Sequence, residues 1–147
     1  KKMRRTDFKS VYLAKIACLR EIFDKIDRTK LRADPSFIDY VTKNYKWLQS
    51  YCYWAALRDD WIRKNPPGDR EEGIQPVFPP INQVQLCSIL NIDGEEETEM
   101  EISCLFNAWV QYQCHLQLSD VSSYAQENRV VLSCSLTIGQ RHGSADT

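Results

Sequence analysis

The chain has 147 residues, of which 43% are hydrophobic and 11% aromatic, so it can build one domain with a sizeable core and is no disordered tail. A net charge of -1 gives no global pull toward nucleic acid or anionic lipid. No apolar run approaches the roughly 18 residues of a membrane span, and no signal-type apolar segment follows the charged stretch from Lys1 to Lys9, so a cytoplasmic protein with no membrane partner is expected.

The first predicted element is a helix. Phe8, Val11, Tyr12, Ile16, Leu19, Ile22, Phe23 and Ile26 recur every three or four positions, Thr6 or Asp7 can cap the start, and the end is expected near Arg28. Lys1 to Arg32 holds eleven bases against four acids. After Thr6 these charges interleave with the apolar stripe, as on the wet side of an amphipathic helix, so no nucleic-acid partner is expected.

Asp34-Pro35 reads as a cap followed by proline at the first helical position, opening a second short helix that stops near Asn44. A third is expected from Trp47 to about Lys64. Its aromatic residues Trp47, Tyr51, Trp54 and Trp61 read first as core packing, with a sugar-stacking role for one of them as the functional alternative.

Asn65-Pro66-Pro67-Gly68 is a hard stop, and Pro76, Pro79 and Pro80 keep the next stretch irregular. Ile81 to Ile92 is apolar, but its pattern does not choose between strand and helix. Six acids between Asp93 and Glu101 then suit the positive end of a long helix, which carries Ile102, Leu105, Phe106, Trp109, Val110, Leu116, Val121, Tyr124 and Ala125 and stops near Asn128. Val130 to Ile138 reads as a strand. A long helix, a tight turn and a β-branched strand make half of an α/β repeat, which needs neighbouring strands to pair its edges.

Local chemistry is sparse. Cys18, Cys52, Cys87, Cys104, Cys114 and Cys134 form no C-x-x-C pair, and His115 and His142 are far apart, so reduced and largely buried thiols are expected and a metal site is not. Asp59 and Asp60 are adjacent on a helix and point to different azimuths, which suits a solvated face better than an acid/base pair. Cys114 and His115 are helix neighbours that do not face each other. There is no glycine-rich phosphate loop, and no cofactor is expected.

Asp7-Phe8-Lys9-Ser10-Val11, Trp47-Leu48-Gln49-Ser50-Tyr51 and Ala55-Ala56-Leu57-Arg58-Asp59 occur in one order along these elements. So do Trp109-Val110-Gln111-Tyr112-Gln113-Cys114-His115-Leu116-Gln117-Leu118-Ser119, Tyr124-Ala125 and Val130-Val131-Leu132. Together these words resemble the amylomaltases, the 4-α-glucanotransferases of glycoside hydrolase family 77, in the long-chain branch that contains the plant disproportionating enzyme. The resemblance covers about Asp7 to Lys64 and Ile102 to Thr147. In that branch the helix leads into a barrel strand of pattern G-D-[LI]-P-I-G and a loop ending S-A-D. Here those positions read Cys134-Ser135-Leu136-Thr137-Ile138-Gly139 and Ser144-Ala145-Asp146, with Ser135 where the family has Asp and Thr137 where it has Pro.

The resemblance implies a mainly α chain, with a helical insertion subdomain followed by one helix-strand unit of an incomplete (β/α)8 barrel. Residues 1–64 would be the helical subdomain, 65–101 a Pro-rich and acidic divergent insertion, and 102–147 the long helix with its barrel strand and loop. It implies a segment of an enzyme that transfers α-1,4-glucan units between maltooligosaccharides or polysaccharide. The family's catalytic carboxylates lie beyond the position of Thr147, so no catalytic residue is assigned, and Ser135, Ser144 and Asp146 are the substrate-binding candidates. Expected partners are the α-glucan, the remaining barrel strands and, through the unpaired strand, a second copy. The alternative is a non-catalytic helical binding or assembly module derived from that family.

Overall fold

The computed structural model describes residues 8–64, 88–91 and 96–134. They form four helices in the order α1 (Phe8–Phe23), α2 (Arg28–Ala33), α3 (Pro35–Lys64) and α4 (Glu99–Glu127). The described chain is mainly helical, as the sequence leads one to expect.

The first helix ends five residues before the expected Arg28. Asp24 N, Lys25 N and Ile26 N donate back to Arg20 O, Ile22 O and Phe23 O and tighten the chain into a turn. Asp27 then accepts from Thr29 N and Lys30 N and starts the six-residue α2, which apolar periodicity is too short to reveal. Those backbone hydrogen bonds, Lys30's first, hold the Asp27 carboxyl below its usual range. Asp34 serves two helices. Its N–H donates to Leu31 O at the end of α2, and its carboxylate accepts from Ser36 N at 2.8 Å and Phe37 N at 2.9 Å, opening α3 with Pro35 in the first turn.

The expected break between Asn44 and Trp47 does not exist. No glycine or proline stands there. Asn44 Nδ2 donates to Tyr40 O at 2.9 Å and its Oδ1 accepts from Trp47 Nε1 at 3.0 Å, so the side chain is used within one 30-residue helix, about 45 Å long. At the start of α4, Thr98 Oγ1 accepts from Glu101 N at 3.2 Å, while Thr98 N donates to Glu101 Oε2 at 2.7 Å. This reciprocal box satisfies two otherwise orphaned donors, and losing it costs about 1 kcal/mol.

Helices α3 and α4 run antiparallel. Phe37 and Tyr40 meet Tyr112, Tyr51 meets Gln111, and Arg63 meets Glu99. From α3, Phe37, Val41, Leu48, Cys52 and Ala56 turn inward; from α4, every residue from Cys104 to Trp109 is buried. A helix covered on one side alone would leave part of that run wet. Phe23 of α1 supplies the second cover, with its ring 5.4 Å from Phe106 and 5.6 Å from Trp109. Burial of such a side chain stabilises by roughly 1.5–3 kcal/mol. Ile89 joins the same core.

Of the predicted strand, residues 130–134 are exposed and irregular and pair with no strand among the described residues; positions 135–138 lie outside them. A strand is held by a neighbour's backbone, and none of the described elements offers one. The expectation of largely buried thiols is corrected: Cys52 and Cys104 are buried, but Cys18, Cys114 and Cys134 are exposed. Cys18 stands about 100° around α1 from the inward-turned Leu19, and Cys114 lies near the end of the stretch of α4 that α3 covers. Cys87 lies outside the described residues. No helix among them is long and apolar enough to cross a membrane.

Candidate functional site

The aromatic residues of α3 form a row at helical spacing. Ring centroids are 6.2 Å apart for Trp47 and Tyr51, and 6.4 Å for Tyr51 and Trp54. The rings tilt against one another, and the Arg58 guanidinium covers Trp54 at 4.9 Å from its centroid. Tyr51 OH accepts from Gln111 Nε2 at 3.2 Å, and burial pushes its hydroxyl pKa up against that bond. Trp54 and Tyr51 are thus tied into the fold, while Trp47 is 45% exposed, so of these three rings Trp47 is the one open to sugar stacking.

A cavity of about 390 Å³ opens where α1, α3 and α4 converge. Ala56, Met100 and Ile102 give it apolar surface, and Arg20, Asp59, Asp60, Arg63, Glu99 and Ser103 line the rest. The helices dictate this mixture. Ala56, Asp59, Asp60 and Arg63 follow one another along the last turns of α3, while Glu99 to Ser103 form the first turns of the antiparallel α4. Arg20 comes from α1, with its guanidinium 4.3 Å from the centroid of the Phe106 ring.

Each carboxylate in the cavity faces a cation. Asp59 Oδ2 accepts from Arg20 at 3.1 Å and Oδ1 from Arg58 at 2.9 Å. Asp60 binds Lys64 at 2.6 Å and Arg63 at 2.7 Å, and Arg63 also reaches Glu99 at 3.2 Å. Hydrogen bonds from Lys64 and then Arg63 hold the Asp60 carboxyl below its ordinary range, so it is ionised at neutral pH and unsuited to donate a proton. The hydrogen bonds it donates to Asp60 and Glu99 hold Arg63 correspondingly more basic. This is a hydrogen-bonding cavity rather than an acid/base pair.

Ser135, Ser144 and Asp146, the substrate-binding candidates, lie outside the described residues. Asp59 and Asp60 do diverge, yet both line the cavity, which the reading of a merely solvated face missed. Arg20, Glu99 and Ser103 were missed as well, because the pairs that build the cavity are 36 and 39 positions apart and leave no local spacing to read. His115 stacks on Tyr40 with centroids 5.0 Å apart, a packing role. Among the described residues no group of three His, Cys, Asp or Glu side chains could hold a metal ion.

The family model described as 4-alpha-glucanotransferase matches residues 1–147. The 4-alpha-glucanotransferase DPE2 of Oryza sativa subsp. japonica is 26% identical to the chain over 141 residues, which cover 96% of this chain and 14% of that protein. The chain thus spans about one seventh of the length of that relative. No solved structure matches.

Proposed function

The chain belongs to the 4-alpha-glucanotransferase family, and on that premise we propose that it is the helical segment of an enzyme that transfers α-1,4-glucan units between maltooligosaccharides or polysaccharide. The observation that carries this reading is the family match across all of residues 1–147. Retaining glucanotransfer needs two carboxyl groups roughly 5–5.5 Å apart, one free to act as nucleophile and one as acid/base. The carboxylates of the cavity are bound by cations instead. On this reading the segment supports the reaction without performing its covalent step, and Ser135, Ser144 and Asp146 would line the substrate edge of a strand that the enzyme's remaining strands complete.

The second half of α4 supports such a setting. Leu116, Leu118, Val121 and Tyr124 are exposed, and between Cys114 and Gln126 the only formally charged residue is Asp120. Charge depletion with exposed aliphatic and aromatic side chains marks surface that another folded unit covers. The remaining barrel strands are that unit in this reading, and self-association is the substitute when they are missing. A cytoplasmic setting accords with exposed Cys18, Cys114 and Cys134 standing outside any disulfide.

The test is an assay of maltotriose disproportionation by the 147-residue chain, alone and mixed with a segment of the enzyme carrying the remaining barrel strands. No glucose release by the chain alone and recovery on mixing is the expected pattern. Disproportionation by the chain alone would overturn the supporting role.

A further inference from the structure

We propose that the cavity between α1, α3 and α4 is a binding site for a neutral sugar ring, and, resting on the glucanotransferase reading, for a glucosyl unit of an α-glucan. Its volume of about 390 Å³ falls within the roughly 300–1,000 Å³ of small-molecule sites.

The charge pattern selects the ligand. An inorganic or organic phosphate would meet three carboxylates against two guanidiniums in the lining. A metal cation would have to compete with the cations that already hold Asp59, Asp60 and Glu99. A neutral polyhydroxyl compound meets neither penalty. Each guanidinium carries five N–H donors and each carboxylate about four acceptor positions, more than their mutual pairing consumes, so ring hydroxyls can both donate and accept there. Asp59, only 20% exposed and held by both Arg20 and Arg58, is preorganised before the ligand arrives.

The apolar side of the cavity completes the match. Met100 and Ile102 present apolar surface beside the polar rim, as the C–H face of a sugar ring requires, and Ser103 adds a hydroxyl from α4. The Arg20 guanidinium lies over the Phe106 ring and binds Asp59, so two contacts hold this donor group at the cavity. The site lies well away in sequence from the strand and loop that carry Ser135, Ser144 and Asp146.

The experiment is amide chemical-shift mapping of the 147-residue chain with maltotriose, cellobiose and myo-inositol as separate probes. Maltotriose is expected to shift the amides of Asp59, Asp60, Arg63 and Ser103. Arg63→Gln should weaken that binding at least tenfold, and because Arg63 is largely exposed it should leave the thermal melt unchanged. Ser103→Tyr, which fills the cavity from the other helix, should do the same, with its fold checked by circular dichroism. If cellobiose and myo-inositol shift the cavity residues as strongly as maltotriose, the sugar-ring site stands and the α-glucan reading falls. If Trp47→Ala abolishes maltotriose binding while Arg63→Gln and Ser103→Tyr do not change it, the cavity is overturned and the family reading is untouched. Absence of shifts with all three probes at roughly 50 mM, where a millimolar site is nearly full, also overturns it.

Discussion

Arg28 donates through Nε to Glu97 Oε2 at 2.6 Å, joining α2 to the residue before the cap of α4 across 69 positions of sequence. Arg32 holds the other carboxylate oxygen, and also donates to Ile89 O at 3.2 Å. The side chains of Glu97 and Arg32 are 12% and 8% exposed and that of Arg28 36%, so this cluster is a partly buried cross-link. It fixes where α4 begins, and so places Glu99 and Ser103 at the cavity.

Glu97 therefore makes stability depend on pH. Burial by itself would raise its pKa, but the hydrogen bonds from Arg32 and Arg28 outweigh burial and hold it below its ordinary 4.5. A folded pKa below the unfolded one contributes stability that is present above the unfolded value and lost as pH falls through the folded value. Glu97→Gln should cost roughly 1–3 kcal/mol at pH 7. The gap between wild type and variant should shrink as pH drops below 4.5. Denaturant melts at a series of pH values measure this, and a gap that persists unchanged into strong acid would refute it.

Much of the fold can be read from the chain. The apolar repeat of α1, the Asp34-Pro35 start of α3 and the acid-rich start and Asn128 end of α4 are local signals, and the structure realises each of them. What cannot be read is whatever depends on distant partners. Asn44 is a common helix terminator by composition, yet within α3 it donates back to Tyr40 O and the helix continues. Asp59 looks like a solvated acid until Arg20 arrives from 39 positions away. The strand at Val130 rests on an apolar start and the alternation of Leu136 and Ile138, and such a pattern forms no strand without a neighbour to pair its backbone.

Continuity of α3 gives a sharp substitution. Tyr45 is 51% exposed and sits where a break between two helices was expected. Tyr45→Pro would be tolerated at a break, but inside a continuous helix it removes a hydrogen bond and clashes with the preceding turn, costing about 3 kcal/mol. A substantially lower melting temperature for Tyr45→Pro, with Tyr45→Ala close to wild type, is the expected result. Equal melts for the two variants would restore the two-helix reading.

The thiols should react in two classes. Cys18, Cys114 and Cys134 are exposed, whereas Cys52 and Cys104 lie in the core at 0% and 1% exposure. Titration with a chromogenic disulfide should label the first group within the native protein and reach Cys52 and Cys104 only as the fold opens. Substituting Cys52 or Cys104 by serine should slow no native labelling phase, but should lower stability by placing a hydroxyl in an apolar setting. Rapid native labelling of Cys104 would contradict the cover that α1 and α3 give α4.

The end of α4 offers a stabilising change. Arg129 N donates to Gln126 O at 3.1 Å and Val130 N to Ala125 O at 2.8 Å, the paired bonds of a Schellman motif, and the residue between helix and exit must therefore adopt a left-handed conformation. Arg129 does so, with φ at 58°. A side chain with a Cβ loses roughly 1–2 kcal/mol in that region, while glycine enters it without the clash and gives back part of the gain as lost chain entropy. Arg129→Gly should therefore stabilise by about 0.5–1 kcal/mol and raise the melting temperature by a few degrees, roughly as expected for a domain of this size. Arg129→Ala separates the backbone effect from loss of the side chain: it keeps the Cβ and should not stabilise. Should glycine and alanine melt together, the gain would not come from the left-handed backbone, and the strain assigned to Arg129 would have to be withdrawn.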